Sequence, residues 1–572
     1  MSNFITAVDK HTDTQYGENC HIEYTWSEKT QEKIQQLFFQ LTRTKDPATL
    51  HNLSNTTYGL VKQIMSLEDV EQKRELGLVL YKIVAQTRDI VSGKGEYNLS
   101  YMLLYAWARV NIKLAKFALF NFVHSSSGEH PLGSWKDMKY FATYCHENGT
   151  DDDVTTELVK FVIELVNKQL RKDVVENKDE NLSLLAKWIP REKSRKFGWL
   201  FNRLALDYYA HWVPNVEHPS HAKAVNKVKT HYRKMLSALN IRLDTIQIKQ
   251  CDERWSHIKI NTITSQTLQK QKYALQNIDK KGNTRCENWD RIKCADNYRH
   301  HLNAVKEGKA VMKGKRVGLV NFVKDALEAL SNGHKDTINT VNEQWKNNAT
   351  TTGKLGNFVA MADTSGSMTC DGCNPLHAAL GLSIRVAEKS TFGKRVLTFS
   401  AHPEWINLED CHTLTEMVDR IHNCNWGMNT NFHAAMKLIL DAIVENKLPA
   451  SDVKNMVLAV FSDMQIDSSG STHTMMGEIE RLYADAGRRI CGEPYTPPHI
   501  LFWNLRSSNG FPTLSTQPNA SMMSGFSPGL LNLFCEKGLE GILQCTPWNM
   551  LTEALNNKRY DTLEEKFLEV VS

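Results

Sequence analysis

The chain has 572 residues, 41% hydrophobic and 23% charged, a composition that excludes wholesale disorder and exceeds what one hydrophobic core usually supports. No run approaches the roughly 18 apolar residues that cross a bilayer, and the polar opening from Met1 to Asn19 lacks the apolar core of a signal peptide. The net charge of +5 conceals two unlike halves: 17 Lys and Arg against 24 Asp and Glu from residue 354 onward, and 52 against 40 before it.

An intracellular, cytoplasmic protein with no membrane partner is expected. Its twelve cysteines are then free thiols, including the close pair Cys370 and Cys373, which lacks a second pair or matched histidines for zinc. The basic first half is the candidate polyanion surface, and the acidic second half the candidate cation binder.

From about Thr25 to Val341 the apolar spacing is helical. Leu99, Met102, Leu103, Ala106, Val110, Leu114 and Phe117 recur at steps of three and four, as one face of a packed helix requires. No fixed-period repeat is visible, so degenerate helical pairs of the HEAT kind stay open. Within this half, Lys187, Arg191, Lys193, Arg195 and Lys196 are interleaved with Trp188, Phe197 and Trp199. A second set follows at Lys223, Lys227, Lys229, Arg233 and Lys234. Such cations contact phosphates while aromatic rings stack on unpaired bases. The plain alternative is core aromatics beside a solvated lysine face.

After the polar stretch from Asn347 to Asn357 the texture changes. Short apolar runs at Phe358 to Ala362, Arg395 to Phe399, Met456 to Phe461 and His499 to Leu505 read as strands. They alternate with amphipathic helices, one carrying Phe432, Ala435, Met436, Ile439, Leu440 and Ile443 on one side. Strand, crossover helix and strand spell a doubly wound, Rossmann-like parallel sheet. The tail from Leu551, with Leu563, Phe567 and Val570, reads as a closing helix. The expected organisation is a helical repeat-like basic domain over 1–353 and an α/β domain over 354–572.

Asp363, Ser365 and Ser367 form an Asp-x-Ser-x-Ser motif directly after the first strand. Thr430 lies in the loop before the amphipathic helix, and Asp463 ends the strand near Val460. Two carboxylates and three hydroxyls at strand ends suit one hard cation, Mg²⁺, Mn²⁺ or Ca²⁺, and suit zinc or copper poorly. The alternative is that Asp363 and Ser365 merely cap the following helix.

This set resembles the metal-ion-dependent adhesion site of von Willebrand factor A domains, whose five ligand positions match Asp363, Ser365, Ser367, Thr430 and Asp463 in order. The resemblance implies one open coordination position, filled by a carboxylate of a protein partner. The chain departs from the pattern at Met464, where relatives often carry Gly. Further motifs, among them Gly93-Lys94-Gly95-Glu96, Gly133-Ser134-Trp135-Lys136-Asp137, the segment Lys187 to Lys193, and Ser524-Gly525-Phe526-Ser527, resemble an uncharacterised family shared by plants and giant DNA viruses. That family is in turn similar to the Ro autoantigen (TROVE) class, which implies a helical ring that binds RNA, in a host cytoplasm if the source is viral.

Nothing in the sequence completes a catalytic set. There is no phosphate-binding Gly-x-x-x-x-Gly-Lys loop and no His-Glu-x-x-His. Gly525-Phe526-Ser527-Pro528-Gly529 spells a nucleophile elbow, but Pro528 lacks the backbone N–H that an elbow requires. Asp467 is one extra carboxylate near the motif. The expectation is a non-enzymatic binder of RNA and of a protein carboxylate. A protein-interaction scaffold without RNA and a metal-dependent phosphodiester hydrolase are the alternatives.

Overall fold

A computed structural model describes residues 13–125, 128–424, 427, 429–468, 473–543 and 545–571. Most of the polar opening, residues 1–12, and Met428 of the threonine loop lie outside them. A helical region comes first and a six-stranded, mostly parallel sheet follows.

Helices in the first region pack mainly on near neighbours in the chain. Pro47–Met65 lies against Asn98–Ala108, Lys136–Asn148 against Asp152–Val175, and Gly198–Tyr208 against His221–Leu243. The apolar stripe from Leu99 to Phe117 forms two helices and not one, Asn98–Ala108 and Ile112–Asn121. The break falls at Asn111, whose extended backbone and side chain cap the second helix by accepting the Leu114 N–H. A hairpin that the helical periodicity gave no sign of, β1 (Thr14–Tyr16) and β2 (Ile22–Tyr24), precedes the first helix.

The large sheet comprises β3 (Phe358–Asp363), β4 (Arg395–Phe399), β5 (Glu404–Asn407), β6 (Val457–Ser462), β7 (His499–Asn504) and β8 (Ala520–Ser524). Its order is β5-β4-β3-β6-β7-β8, parallel throughout except for β5, which runs antiparallel beside β4. Residues of β3 alternate between two cores. Phe358, Ala360 and Ala362 join the helix Cys370–Lys389 and the helical region, while Val359 and Met361 join the helices Phe432–Glu445 and Met475–Cys491. Both faces of the sheet are thus covered, which is why its central strands read as unbroken apolar runs.

Both ends of the chain pack across the boundary expected at residue 353. Helix Thr30–Gln40 lies beside β8, where the Gln35 and Gln40 amides donate to the Met522 and Gly510 carbonyls. At the other end, helix Asp561–Val571 packs on Val70–Arg88, with Phe567 stacked on Tyr81 at 5.7 Å. Two of the motifs noted in the sequence meet at this junction. Buried Lys94 donates to the Phe38 and Leu41 carbonyls and to Ser524 Oγ, at 2.7, 3.1 and 2.6 Å, and burial holds its ammonium well below the ordinary lysine range. Beside it, Arg43 pairs with Glu96 at 2.8 Å and lies 5.0 Å from the centre of the Phe526 ring. Gly133 to Asp137 is also structural in part: the Asp137 carboxylate, fully buried, takes a bidentate bond from Arg88 at 2.7 and 2.8 Å and a third from Tyr101.

Candidate functional site

The strand order reverses direction between β3 and β6, since the chain leaves β3 to one side for β4 and returns on the other side at β6. Open parallel sheets place their binding crevices at the carboxyl ends of such strands. Asp363 is the last residue of β3, and Asp463 immediately follows β6; both are fully buried. Ser462 Oγ donates to Asp363 Oδ2 at 2.5 Å and ties the two strand ends together. The other Asp363 oxygen accepts the Ser365 N–H at 2.9 Å, and the Ser365 and Ser367 hydroxyls are 3.1 Å apart. Burial, and then the neighbouring Asp463 charge, push the Asp363 carboxyl up to about 7.

The threonine loop is fastened to the same place from two sides. Asp363 and Phe399 are register partners, and the next residue of that strand end, Ser400, receives the Asn431 N–H on its carbonyl and the Gly427 N–H on its hydroxyl. On the other side Asp467 accepts the Thr430 N–H at 2.9 Å and returns its own N–H to the Thr430 carbonyl at 3.1 Å. Asp467 is therefore a positioning residue that clamps the loop, and buried Thr430 is held between β4 and the loop after β6.

Met464 has a backbone φ of +63° and is almost fully buried. The left-handed conformation explains why glycine suits this position, and methionine adopts it here with its N–H on Ser462 Oγ at 2.9 Å. Asp371, Gly372 and Cys373 are also left-handed, so the regular part of helix Cys370–Lys389 begins only after them. Cys370 and Cys373 form no disulfide with each other or with any of the other ten cysteines. Gly525 to Gly529 is a turn, with Pro528 opening a 3₁₀ segment, Pro528–Leu531.

One feature of the crevice was invisible in the sequence. Arg506, which follows β7, donates from Nε to Asp463 Oδ2 at 2.8 Å and from a terminal nitrogen to Glu18 at 2.7 Å. Burial alone would lower the guanidinium, but Asp463 and Glu18 outweigh it and hold Arg506 firmly charged. Glu18 comes from the N-terminal hairpin, whose turn is stitched to the loop after β6. The Glu18 N–H donates to Gln465 Oε1, the Asn19 amide to the Gln465 carbonyl, and the Ser468 N–H to the Asn19 carbonyl, at 2.7, 3.0 and 3.1 Å.

Among the described residues no three His, Cys, Asp or Glu side chains gather as a metal set. The donors at the crevice are instead two carboxylates, with hydroxyls on the same loops. That donor chemistry fits a hard cation, because both carboxylates are buried and Arg506 pairs with Asp463 alone, so Asp363 has no ion pair among the described residues.

The ten basic residues singled out in the helical half lie on two neighbouring elements. Lys187 lies in the short helix Leu185–Trp188, with Arg191, Lys193, Arg195 and Lys196 in the loop after it; Lys223, Lys227, Lys229, Arg233 and Lys234 ride on helix His221–Leu243. Arg233 pairs with Glu192, which sets the two groups side by side, and Lys196 pairs with Glu147. All ten are exposed or half-exposed. Trp199 packs on the core, as the plain reading of these aromatics has it, whereas the half-exposed rings of Trp188 and Phe197 carry the Lys139 ammonium at 5.4 and 5.1 Å.

Residues 357–565 match a family described as a domain of unknown function, DUF7788. Over 496 residues the chain is 27% identical to an uncharacterised protein, L728, of Acanthamoeba polyphaga mimivirus, covering 83% of this chain and 79% of that protein. The chain is thus similar to a giant-virus protein across most of its length. No helix among the described residues is long and apolar enough to cross a membrane.

Proposed function

We propose that this chain is a non-enzymatic binding protein whose crevice holds one divalent cation, Mg²⁺, Mn²⁺ or Ca²⁺, in the manner of a von Willebrand factor A adhesion site. Asp363, Ser365, Ser367, Thr430 and Asp463 are the residues that would hold it. The cation would supply an electrophilic position to which a partner's carboxylate binds. The chain's own part is to keep the oxygens gathered: Ser462 joins the two strand ends, Asp467 clamps the threonine loop, and Gln465 donates its N–H to Asp463 at 3.1 Å. The observation that carries the reading is the adjacency of two fully buried carboxylates at the point where the strand order reverses.

In the helical half, the reading is RNA binding through the two basic groups, in the manner of the Ro class. It is supported by ten solvent-accessible cations on adjoining elements and by half-exposed rings among them. Calorimetric titration of the intact chain with each of the three cations, beside an Asp363→Ala variant, tests the crevice. Uptake of one ion that is lost in the variant is expected, and no heat with any of the three at millimolar concentration refutes it. RNA affinity equal to that of an acidic control protein refutes the second part.

A further inference from the structure

The helical half contains a cavity of about 350 Å³ between helices Pro47–Met65, Asn98–Ala108 and Lys136–Asn148, within the size range of small-ligand sites. Its wall carries the rings of Tyr105, Tyr140 and Tyr144, the amide of Asn98, and two cations, Arg109 and Lys196, the second of them paired with Glu147 of the same wall. Tyr105 is fixed, because its hydroxyl accepts the Thr150 and Asp151 N–H groups at 2.9 and 3.0 Å. Tyr144 lies against it edge-on, with ring centres 6.5 Å apart. Arg109 stacks on Tyr58 at 3.6 Å and pairs with no carboxylate among the described residues.

Tyr140 joins this cavity to a second feature. The ammonium groups of Lys136 and Lys139 stand 5.0 and 5.1 Å from the centre of its ring. Lys136 also faces Tyr97 at 4.8 Å, and Lys139 faces Trp188 and Phe197. Neither lysine has an ion pair among the described residues, although Asp137 lies between them in sequence, because Arg88 takes that carboxylate. Burial holds both ammonium groups below the ordinary lysine range, and neighbouring positive charge adds to it, from Lys270 on Lys136 and from Lys136 on Lys139. Two partly desolvated cations with aromatic rings around them and no counter-ion suit a phosphate. The rings and amide next to them suit a flat heteroaromatic base.

We propose that the cavity and the adjoining lysines form a binding site for one nucleoside monophosphate unit, with the base among the tyrosines and the phosphate at Lys136 and Lys139. The inference rests on the reading of this half as a nucleic-acid surface, but assigns a defined subsite whose residues, apart from Lys196 of the cavity wall, lie outside the two basic groups. The unit is either a free nucleotide or one nucleotide of an RNA chain.

The intact chain is titrated by calorimetry at low salt with AMP, CMP, GMP and UMP separately, with inorganic phosphate, with a polyglutamate peptide and with an unstructured ten-nucleotide RNA. At least one nucleotide should bind tenfold or more tighter than inorganic phosphate. Lys136→Gln with Lys139→Gln should weaken it at least tenfold, exposed Lys270→Gln two- to threefold, and Tyr140→Leu should abolish the preference over phosphate. Preserved thermal midpoints in these variants show that the fold survives. If the RNA decamer also binds and is weakened by the same pair, the chain-borne nucleotide is the source; if only the monomers bind, the free nucleotide is. Equal affinity for inorganic phosphate, or tighter binding of polyglutamate, overturns the proposal. RNA binding lost with Arg191→Glu, Lys193→Glu and Arg195→Glu, none of which lines the cavity, but untouched by the Lys136 and Lys139 changes overturns the subsite while leaving the general RNA reading intact.

Discussion

At the strand-end crevice each oxygen of Asp363 and Asp463 already accepts a hydrogen bond, and both side chains are closed off from solvent. On the basic face of the helical half, Arg191, Lys193 and Arg195 are exposed in a loop. The difference decides how each region can discriminate. Buried, oriented oxygens impose a radius and a geometry on a cation, whereas exposed ammonium and guanidinium groups respond to charge density and are screened by salt.

The contrast between buried and exposed charge is sharpest at Arg88 and Asp137, a buried pair within the helical half itself. Asp137→Asn should lower stability by about 3–5 kcal/mol, because the guanidinium is left buried without its counter-charge. Urea unfolding measures this, and a loss no larger than that of an exposed pair would erase the distinction. At the crevice, Asp363→Ala should weaken Mg²⁺ binding at least a hundredfold, about 2.7 kcal/mol. Calorimetry reads that loss, and unchanged affinity would put the cation elsewhere.

A third effect arises from the sheet itself. His499 on β7 is buried beside Ser521, and burial pushes its imidazole down to about 3. Between pH 3 and the ordinary value near 6.5, only the unfolded chain binds this proton, so the contribution of His499 to stability is complete above pH 6.5 and falls as the pH drops. At pH 5 the loss is about 2 kcal/mol. Asp363, raised to about 7, acts in the opposite direction over the same range, so the test is the difference between chains: on going from pH 8 to pH 5 the His499→Gln variant should lose less stability, or gain more, than the wild type, and an identical change in both would assign the acid sensitivity to another group.

How far the sequence announces these features depends on whether a residue's partner is local. The residues of the Asp-x-Ser-x-Ser motif are neighbours, Thr430 lies just before an amphipathic helix and Asp463 just after an apolar strand, so residue type and position point to one place. Four of the six strands of the large sheet were legible from their apolar runs. Strand β8, Ala520–Ser524, has no β-branched or aromatic residue and is made a strand by burial beside β7. Strand β5 is a short, half-exposed edge with no core pattern. Arg506 and Glu18 reach the crevice from another strand end and from the N-terminal hairpin, and Lys94 meets Ser524 from the other half of the molecule. No local pattern records such partnerships, because they depend on how the two ends of the chain pack.

On the exposed side, Lys193→Glu, Arg195→Glu and Lys196→Glu together should weaken RNA binding about tenfold or more at low salt, with the gap narrowing as salt rises. Filter binding over a salt series checks this. A gap that stays constant with salt would mean that these residues act by packing and not by charge.

The smallest effect joins the two kinds of charge in one residue. Arg506 is the counter-ion of Asp463 while Glu18 secures it from the hairpin, so a cation drawing on the same Asp463 oxygen competes with the guanidinium. Arg506→Met should therefore tighten Mg²⁺ binding about three- to tenfold, which corresponds to roughly 0.7–1.4 kcal/mol. Without metal the same change leaves Asp463 buried and unpaired, so the thermal midpoint should fall, and millimolar Mg²⁺ should raise it by more than it raises the wild type. Glu18→Gln, which loosens the guanidinium without removing it, should shift both readings in the same directions by less. If Arg506→Met weakens the metal instead, the guanidinium supports the site by positioning Asp463, and the hairpin is then part of the crevice's scaffold, not a competitor for its charge.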